Sequence, residues 1–150
     1  MIRLELSETI RAPVEEVFRL NANYEGWPRL FPHVKSLRVI GQRYDDTVLE
    51  VWNSNENGEE IEKMVLRKIT PTKMVKEVSN HIFDGKEVYS FDAIGDSRTR
   101  VTLTFLASMK GLYKLSTPFI DSYFRTRLRE LRINPIKEVI EGKGAGQGCL

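Results

Sequence analysis

The N-terminal segment alternates between apolar and polar side chains. Ile2, Leu4 and Leu6 are apolar, and the positions between them are polar. A period of two residues predicts a β-strand with one buried face, over residues 2–11. Ala12-Pro13 ends this strand.

The chain then changes to a helical period. Acidic residues follow Pro13, as is favourable in the first turn of a helix, and Val14, Val17 and Phe18 share one helical face. A short helix is therefore predicted over residues 13–22. Between Trp27-Pro28 and Pro32 there is room for no more than one short helical turn.

Six more strands are predicted after residue 33. They cover residues 34–42, 47–53, 60–69, 74–82, 87–94 and 100–109. Short polar turns separate them, and the turn with Asn57-Gly58 is the strongest hairpin signal because both residues tolerate positive φ. Short connections of this kind predict an antiparallel meander.

A long amphipathic helix is predicted next, over residues 112–141. Its apolar stripe has helical spacing and consists of Thr117, Ile120, Phe124, Leu128 and Leu131. Pro118 and Pro135 are expected to end or kink it. Residues 143–150 are rich in glycine and are expected to form a flexible tail after a single domain, residues 1–142.

These elements predict an α+β fold. A curved seven-stranded antiparallel sheet wraps around the long C-terminal helix, and two short helices follow the first strand. A strongly curved sheet leaves a gap beneath the helix, so we expect an apolar cavity between sheet and helix.

Composition narrows the function classes. The net charge of +2 gives no general reason to bind nucleic acid, and no run of apolar residues is long enough for stable membrane insertion. Cys149 is the single cysteine and the N-terminus does not read as a secretory signal, so we expect a cytoplasmic protein. The sequence contains no nucleophile, metal or cofactor motif, so neither a metal nor a cofactor is predicted.

Two segments resemble a known superfamily. Ile-Arg-Ala-Pro-Val-Glu-Glu-Val-Phe (residues 10–18) and Asn-Tyr-Glu-Gly-Trp-Pro-Arg-Leu-Phe-Pro-His-Val (residues 23–34) resemble the opening of START-like (Bet v 1-like, helix-grip) proteins. The polyketide cyclase/dehydrase and coenzyme-Q-binding groups are the most similar. Trp27-Pro28 stands where the coenzyme-Q group tends to have Tyr-Pro, and is closer to the aromatase/cyclase pattern. The resemblance implies a ligand cavity between sheet and helix.

The candidate cavity residues are mostly apolar and lie on the predicted inner faces. They are Trp27, Phe31, Leu49, Val51, Val65, Arg67, Tyr89, Phe91, Phe105, Ile120, Tyr123, Phe124 and Arg127. Trp27 and Phe31 form either a gate at the cavity mouth or a stiff corner of the core. Arg67 binds a ligand oxygen if its strand turns it inward, whereas a surface position is the simpler interpretation.

Some charged residues receive a plainer interpretation. Arg125, Arg129 and Arg132 share one face of the predicted helix, and we interpret this face as its solvated side, without nucleic-acid binding. His33 and His81 are too far apart to indicate a metal site, and His81 is expected at the surface near a turn.

Three functions compete at this point. The first is the binding and transport of a hydrophobic small molecule such as a lipid, quinone or polyketide-like compound. The second is an enzyme of the polyketide aromatase/cyclase type, which the resemblance and Trp27-Pro28 favour. The third is a protein-interaction module, which a solidly filled interior would favour.

Overall fold

One seven-stranded antiparallel sheet organises the chain. The computed structural model describes residues 1–55, 58–70 and 72–142, with side chains except at positions 55, 69, 70 and 115–119. The strands are β1 (Ile2–Ile10), β2 (Val34–Arg43), β3 (Asp46–Asn55), β4 (Gly58–Thr70), β5 (Lys73–Ser79), β6 (Phe83–Ile94) and β7 (Arg98–Met109). Their order in the sheet is β1-β7-β6-β5-β4-β3-β2, so β1 and β2 are the edges. The meander predicted from the sequence is confirmed.

The helices also lie where the sequence predicts them. They are α1 (Val14–Ala22), α2 (Trp27–Leu30), α3 (Thr117–Leu128) and α4 (Asn134–Lys137). Short 3-10 helices at Tyr24–Gly26 and Gly111–Ser116 precede α2 and α3. Wider π turns at Arg129–Ile133 and Glu138–Gly142 follow α3 and α4, and the helical stretch from α3 onward forms one long C-terminal helix.

The turn between β5 and β6 lies earlier in the chain than the sequence predicts, at residues 80–82 and not at 83–86. The Asn80 side chain accepts hydrogen bonds from the backbone N–H groups of Ile82 and Phe83, both at 2.9 Å. This local bonding replaces strand pairing, so β5 ends at Ser79 and not near residue 82. Of the predicted turn with Asn57-Gly58, residues 56 and 57 lie outside the described residues, whereas Gly58 begins β4. The predicted tail, residues 143–150 with Cys149, also lies outside them.

Strict alternation gives the sheet one buried inner face. On β7, Val101, Leu103 and Phe105 are at most 3% exposed, whereas the residues between them face outward. Gly85 of β6 makes room on that face, because a Cβ there would lie 2.9 Å from the ring of Phe83.

The π turn at Arg129–Ile133 changes which face of the C-terminal helix is buried. Ile120, Phe124 and Leu128 of the predicted stripe are buried against the sheet. A π turn adds a residue to the turn and so rotates the following residues. After it, Ile133 and Ile136 become the buried positions, and Leu131 is only half-buried.

The prediction that Arg132 lies on the solvated side of the C-terminal helix is wrong. Its side chain is only 12% exposed and points toward the sheet. Arg125 and Arg129 lie at the sheet edge, where they donate to the Glu5 carbonyl and the Glu8 carboxylate of β1, both at 3.1 Å. In the part of the chain that the structure describes, no helix is long and apolar enough to cross a membrane.

Candidate functional site

A lysine lies inside the fold. Lys76 is on the inner face of β5, between the buried positions Met74 and Val78, and is 2% exposed. Among the described residues, no hydrogen bond or ion pair to its Nζ is found. Burial, together with the nearby Arg132 guanidinium, lowers the pKa of Lys76 to about 7.

Three aromatic rings surround the Lys76 ammonium. Its Nζ is 4.3 Å from the ring centre of Trp27, 4.9 Å from that of Tyr89 and 5.8 Å from that of Phe31. Each distance is within the range of a cation–π interaction. We call Lys76 with these three rings the lysine cage. The rings stabilise the positive charge in part, but they supply no oxygen to accept its N–H groups.

The short helices hold two rings of the cage in place. The Trp27 indole N–H donates to the backbone carbonyl of Asn21 at 3.1 Å, and the Asn21 side chain donates to the carbonyl of Val17 at 2.9 Å. Trp27 also packs edge-on against Phe31, with ring centres 6.2 Å apart. The Trp-Pro segment therefore forms a rigid wall over Lys76.

A buried ion pair adjoins the cage. Glu87 of β6 is 1% exposed, and the Arg132 guanidinium donates to its two oxygens at 3.1 and 3.4 Å. The Tyr89 hydroxyl donates to the same carboxylate. Burial opposes the ionisation of Glu87, but Arg132 and Lys76 together hold its pKa below the usual value. For Tyr89, burial and the Glu87 charge raise the pKa well above its usual value.

His33 completes this side of the interior. Its Nε2 is 3.0 Å from an Arg132 nitrogen, an arrangement in which the guanidinium donates to the neutral imidazole. Burial and the Arg132 charge lower the pKa of His33 to about 3. The imidazole is therefore uncharged at neutral pH.

A second acidic group lies deeper along β4. Glu62 is 6% exposed and accepts hydrogen bonds from the amides of Asn53 at 2.6 Å and Asn80 at 2.9 Å. The Glu62 charge also acts on the pKa values of Lys76 and Arg132. The interior thus contains the acidic groups Glu62 and Glu87 and the basic groups Lys76 and Arg132 among apolar side chains.

Most sequence-predicted site residues do face the interior. Those that are at most 8% exposed are Trp27, Phe31, Leu49, Val51, Tyr89, Phe91, Phe105, Ile120 and Phe124. Tyr89 and Phe91 stack nearly parallel, with ring centres 6.2 Å apart. Phe105 and Phe124 bring sheet and helix into contact at 5.1 Å between ring centres.

Two predicted site residues on β4 point the other way. Glu62, Met64 and Leu66 are the buried positions of this strand, so Val65 and Arg67 lie on the outer face. The side chain of Arg67 is 50% exposed and donates to both Asp46 oxygens, at 2.6 and 2.8 Å. The interpretation of Arg67 as an inward ligand-binding residue is wrong, because both faces of β4 carry apolar residues and alternation alone does not give its direction.

Two predicted residues on the C-terminal helix also lie outside the interior. Tyr123 is 56% exposed and packs edge-on against Phe124. Arg127 is partly exposed and forms an ion pair with Glu130 at 3.7 Å. Neither belongs to the buried stripe of α3, which runs through Ile120, Phe124 and Leu128. The Arg127 charge nevertheless contributes to the lowered pKa of His33.

The sequence analysis did not identify the charged residues of the interior. A signal for two of them exists: Glu87 is two residues before the inward Tyr89, and Lys76 is two residues after the apolar Met74. Strand alternation therefore places both on the inner face. Arg132 carries no such signal, because the π turn that directs it inward is not visible in the spacing of apolar residues.

The expected cavity between sheet and helix stays a proposal. A groove of ≈ 470 Å³ lies on the outer face of the sheet, with Val65 and Leu106 in its lining. Another, of ≈ 420 Å³, lies beside α1 and is lined by Phe18, Tyr24 and Lys68 among others. Within the described ranges, no group of three or more His, Cys, Asp or Glu side chains is placed to hold a metal ion.

Comparison with solved structures shows the same fold at low sequence identity. The aromatase/cyclase ZhuI from Streptomyces sp. R1128 superposes with a TM-score of 0.78 at 12% identity, covering 93% of both chains. A START superfamily protein from Mycobacterium smegmatis has a TM-score of 0.82 at 11% identity, covering 93% of this chain and 97% of its own. Ara h 8.0201 has a TM-score of 0.69 at 20% identity, covering 95% and 96%. No curated protein sequence matches the chain.

A family model gives the assignment that these structures alone do not. The model described as polyketide cyclase/dehydrase and lipid transport matches residues 1–141, which is nearly the whole chain and includes every residue of the interior site. The chain therefore belongs to the polyketide cyclase/dehydrase and lipid transport family.

Proposed function

We propose that this chain binds a hydrophobic small molecule between the sheet and the C-terminal helix, with an oxygen of that molecule against Lys76. The observation that carries the proposal is the buried ammonium of the lysine cage, to which no acceptor is bonded among the described residues. A buried charge without a hydrogen-bond acceptor is costly, and a carbonyl or carboxylate oxygen would remove that cost.

The ligand class follows from the lining. Aromatic and aliphatic side chains surround the cage, so the body of the ligand is apolar and its burial supplies most of the affinity. Lipids with a free carboxylate, quinones and polyketide-like compounds all combine an apolar body with an oxygen acceptor. The neighbouring Glu87 is already occupied by Arg132 and Tyr89, so it does not compete with the ligand for Lys76 by a direct hydrogen bond.

Displacement of a fluorescent apolar probe tests this function. Anilinonaphthalene sulfonate would be bound first, and then displaced with dodecanoate or with dodecyltrimethylammonium, which carries an alkyl chain of the same length. We expect dodecanoate to compete and the cation to be far weaker, because the cation repels Lys76 and offers it no acceptor.

Variants test whether the preference for dodecanoate over the cation depends on the lysine cage. Lys76→Met keeps most of the length of the side chain and removes its charge. We expect it to weaken dodecanoate binding by about 10- to 100-fold, as for the loss of one charge-assisted hydrogen bond. Lys73→Met, on the exposed side of the same strand, is the matched control and should bind as the unaltered chain does. Equal affinity of the Lys76→Met variant, or no displacement by either amphiphile, would overturn the proposal, and the second result would favour a protein-interaction module.

An enzyme of the cyclase/dehydrase type is the second candidate. It is favoured by the lowered pKa of Lys76, because an amine with a pKa of about 7 takes up a proton readily at neutral pH. Lys76 would remove a proton from the carbon beside a carbonyl, and the Arg132 guanidinium would stabilise the resulting enolate. The test is α-proton exchange in a long-chain methyl ketone in D₂O: an enzyme accelerates the exchange and loses this acceleration in the Lys76→Met variant, whereas a carrier binds the ketone without exchanging it.

A further inference from the structure

The Lys76 amine differs from the other lysines whose contacts the structure gives. Lys110 donates to the Asn80 carbonyl at 2.8 Å and lies 3.1 Å from an Asp84 oxygen, and Lys137 donates to Glu8 at 3.0 Å. Both amines therefore have oxygen acceptors. Lys76 has rings in place of acceptors, so loss of its proton breaks no hydrogen bond among the described residues.

An uncharged, desolvated amine is a nucleophile toward carbonyl carbon. Lys76 meets both conditions, since it is buried and a large fraction of it is uncharged at neutral pH. The charged groups that act on it are Glu87, Glu62 and Arg132, with Tyr89 in the cage. Of these, Glu87 and Glu62 favour a positive charge at the nitrogen and Arg132 opposes it.

We propose that Lys76 forms a reversible imine with an aldehyde or ketone ligand bound inside the fold. This rests on the proposed interior binding function and narrows its ligand class from oxygen acceptors in general to carbonyl compounds. The chain would then hold its ligand by a covalent bond that water can reverse, in addition to apolar burial.

The reaction balances without an oxidant, a reductant or a cofactor. The nitrogen lone pair attacks the carbonyl carbon, and one amine proton moves to the oxygen to give a carbinolamine. The carbon–oxygen bond then breaks, and the oxygen leaves as water with the second amine proton. A carbon–nitrogen double bond replaces the carbon–oxygen double bond, and protonation of this imine gives a cation that Glu87 and the Trp27 ring stabilise, as they do the ammonium.

Reductive trapping tests the imine directly. The full chain would be incubated at neutral pH with dodecanal and cyanoborohydride, which adds a hydride to the imine and fixes the alkyl group on nitrogen. We expect one main adduct by intact mass, located on Lys76 by peptide mapping. It should form faster than on the exposed Lys73 by on the order of tenfold or more, because a large fraction of the buried Lys76 amine is uncharged at this pH.

Two variants of Lys76 and one control variant test whether the adduct depends on this amine. Lys76→Met and Lys76→Arg should both lose the main adduct; arginine keeps the charge and the ring contacts, so it guards against a loss caused only by misfolding. The control Lys73→Met should keep the adduct. Labelling spread evenly over exposed lysines, or the same rate in the Lys76→Arg variant, would overturn the imine.

Competition by dodecanoate distinguishes a wrong imine proposal from a wrong binding function. It cannot form an imine, but it should bind at the same site and block labelling of Lys76. If dodecanoate binds with the expected dependence on Lys76 while dodecanal gives no preferred adduct, the binding function stands and the imine is wrong. If neither compound binds, both proposals are wrong.

Discussion

Two arginine–carboxylate pairs lie on opposite faces of the same sheet. Arg67 and Asp46 meet on the outer face at 2.6 and 2.8 Å, whereas Arg132 and Glu87 meet on the inner face at 3.1 and 3.4 Å. The outer pair has the shorter hydrogen bonds, but the Arg67 side chain is 50% exposed and that of Glu87 only 1%. Water screens the outer pair and is largely absent from the inner one.

The exposure of each pair to water, and not the distance between its atoms, decides how much the pair contributes to stability. Removing one partner on the outer face leaves the other in water. Removing one partner on the inner face leaves a buried charge, which is expensive. The inner pair also keeps Glu87 ionised beside Lys76, so it helps to set the charge of the lysine cage.

The largest expected effect follows from breaking the inner pair. Arg132→Met leaves the buried Glu87 carboxylate without its guanidinium, and we expect a loss of about 3–5 kcal/mol in the free energy of unfolding. Urea denaturation followed by circular dichroism measures it. The double variant Arg132→Met with Glu87→Leu should regain most of this loss. A single variant as stable as the unaltered chain would contradict the inner pair's role.

The next effect is a dependence of stability on alkaline pH. The pKa of Lys76 is about 7 in the folded chain and near its usual 10.5 in the unfolded one, so the unfolded chain binds more protons between these values. Stability must therefore rise as the pH rises from 7 to about 9.5, by up to about 1.4 kcal/mol per pH unit. Lys76→Met should remove this slope, while Lys73→Met should keep it; denaturation at several pH values measures both. An unchanged slope in the Lys76→Met variant would show that the amine titrates as if in water.

A smaller effect is expected in mild acid. The pKa of His33 is about 3 in the folded chain, against a usual 6.5, so the unfolded chain again binds more protons. Stability should fall by about 1 kcal/mol between pH 6.5 and 5, since His33 is only partly shielded from water. His33→Asn should flatten the curve in this window, where most carboxylates are still ionised. Parallel curves for the two proteins would contradict the contact with Arg132.

The smallest effect is expected on the outer face. In Arg67→Met the Asp46 carboxylate stays in water, so the denaturation midpoint should remain within error of the unaltered chain. Ligand displacement by dodecanoate should also be unchanged. A large loss of stability would mean that exposure does not separate the two pairs, and a loss of binding would restore Arg67 to the site.

Strand alternation predicted much of the fold and the facing of several candidates. On β6 and β7 one face is much more apolar than the other, so Tyr89 and Phe105 are placed correctly from the sequence. On β4 both faces carry apolar residues, so the sequence leaves the direction of Arg67 open between a surface position and an inward one. Alternation also places Lys76 and Glu87 on the inner face. Because charged residues are rarely buried, the sequence alone does not lead one to expect them there.

The inward direction of Arg132 could not be predicted from the sequence for a different reason. Its direction depends on the π turn at Arg129–Ile133, and a single wider turn leaves no mark in the spacing of apolar residues. The ion pair with Glu87 also joins residues 45 positions apart, so its partner is known only once the fold is known.

The most direct test is the titration of Lys76 itself. Carbon-13 labelling of the lysine side chains, followed by NMR over pH, should show one ε-carbon that titrates near 7, is absent from the Lys76→Met variant, and moves to higher pH when dodecanoate is bound. Titration of every lysine near its ordinary value of about 10.4, with no response to dodecanoate, would contradict the account.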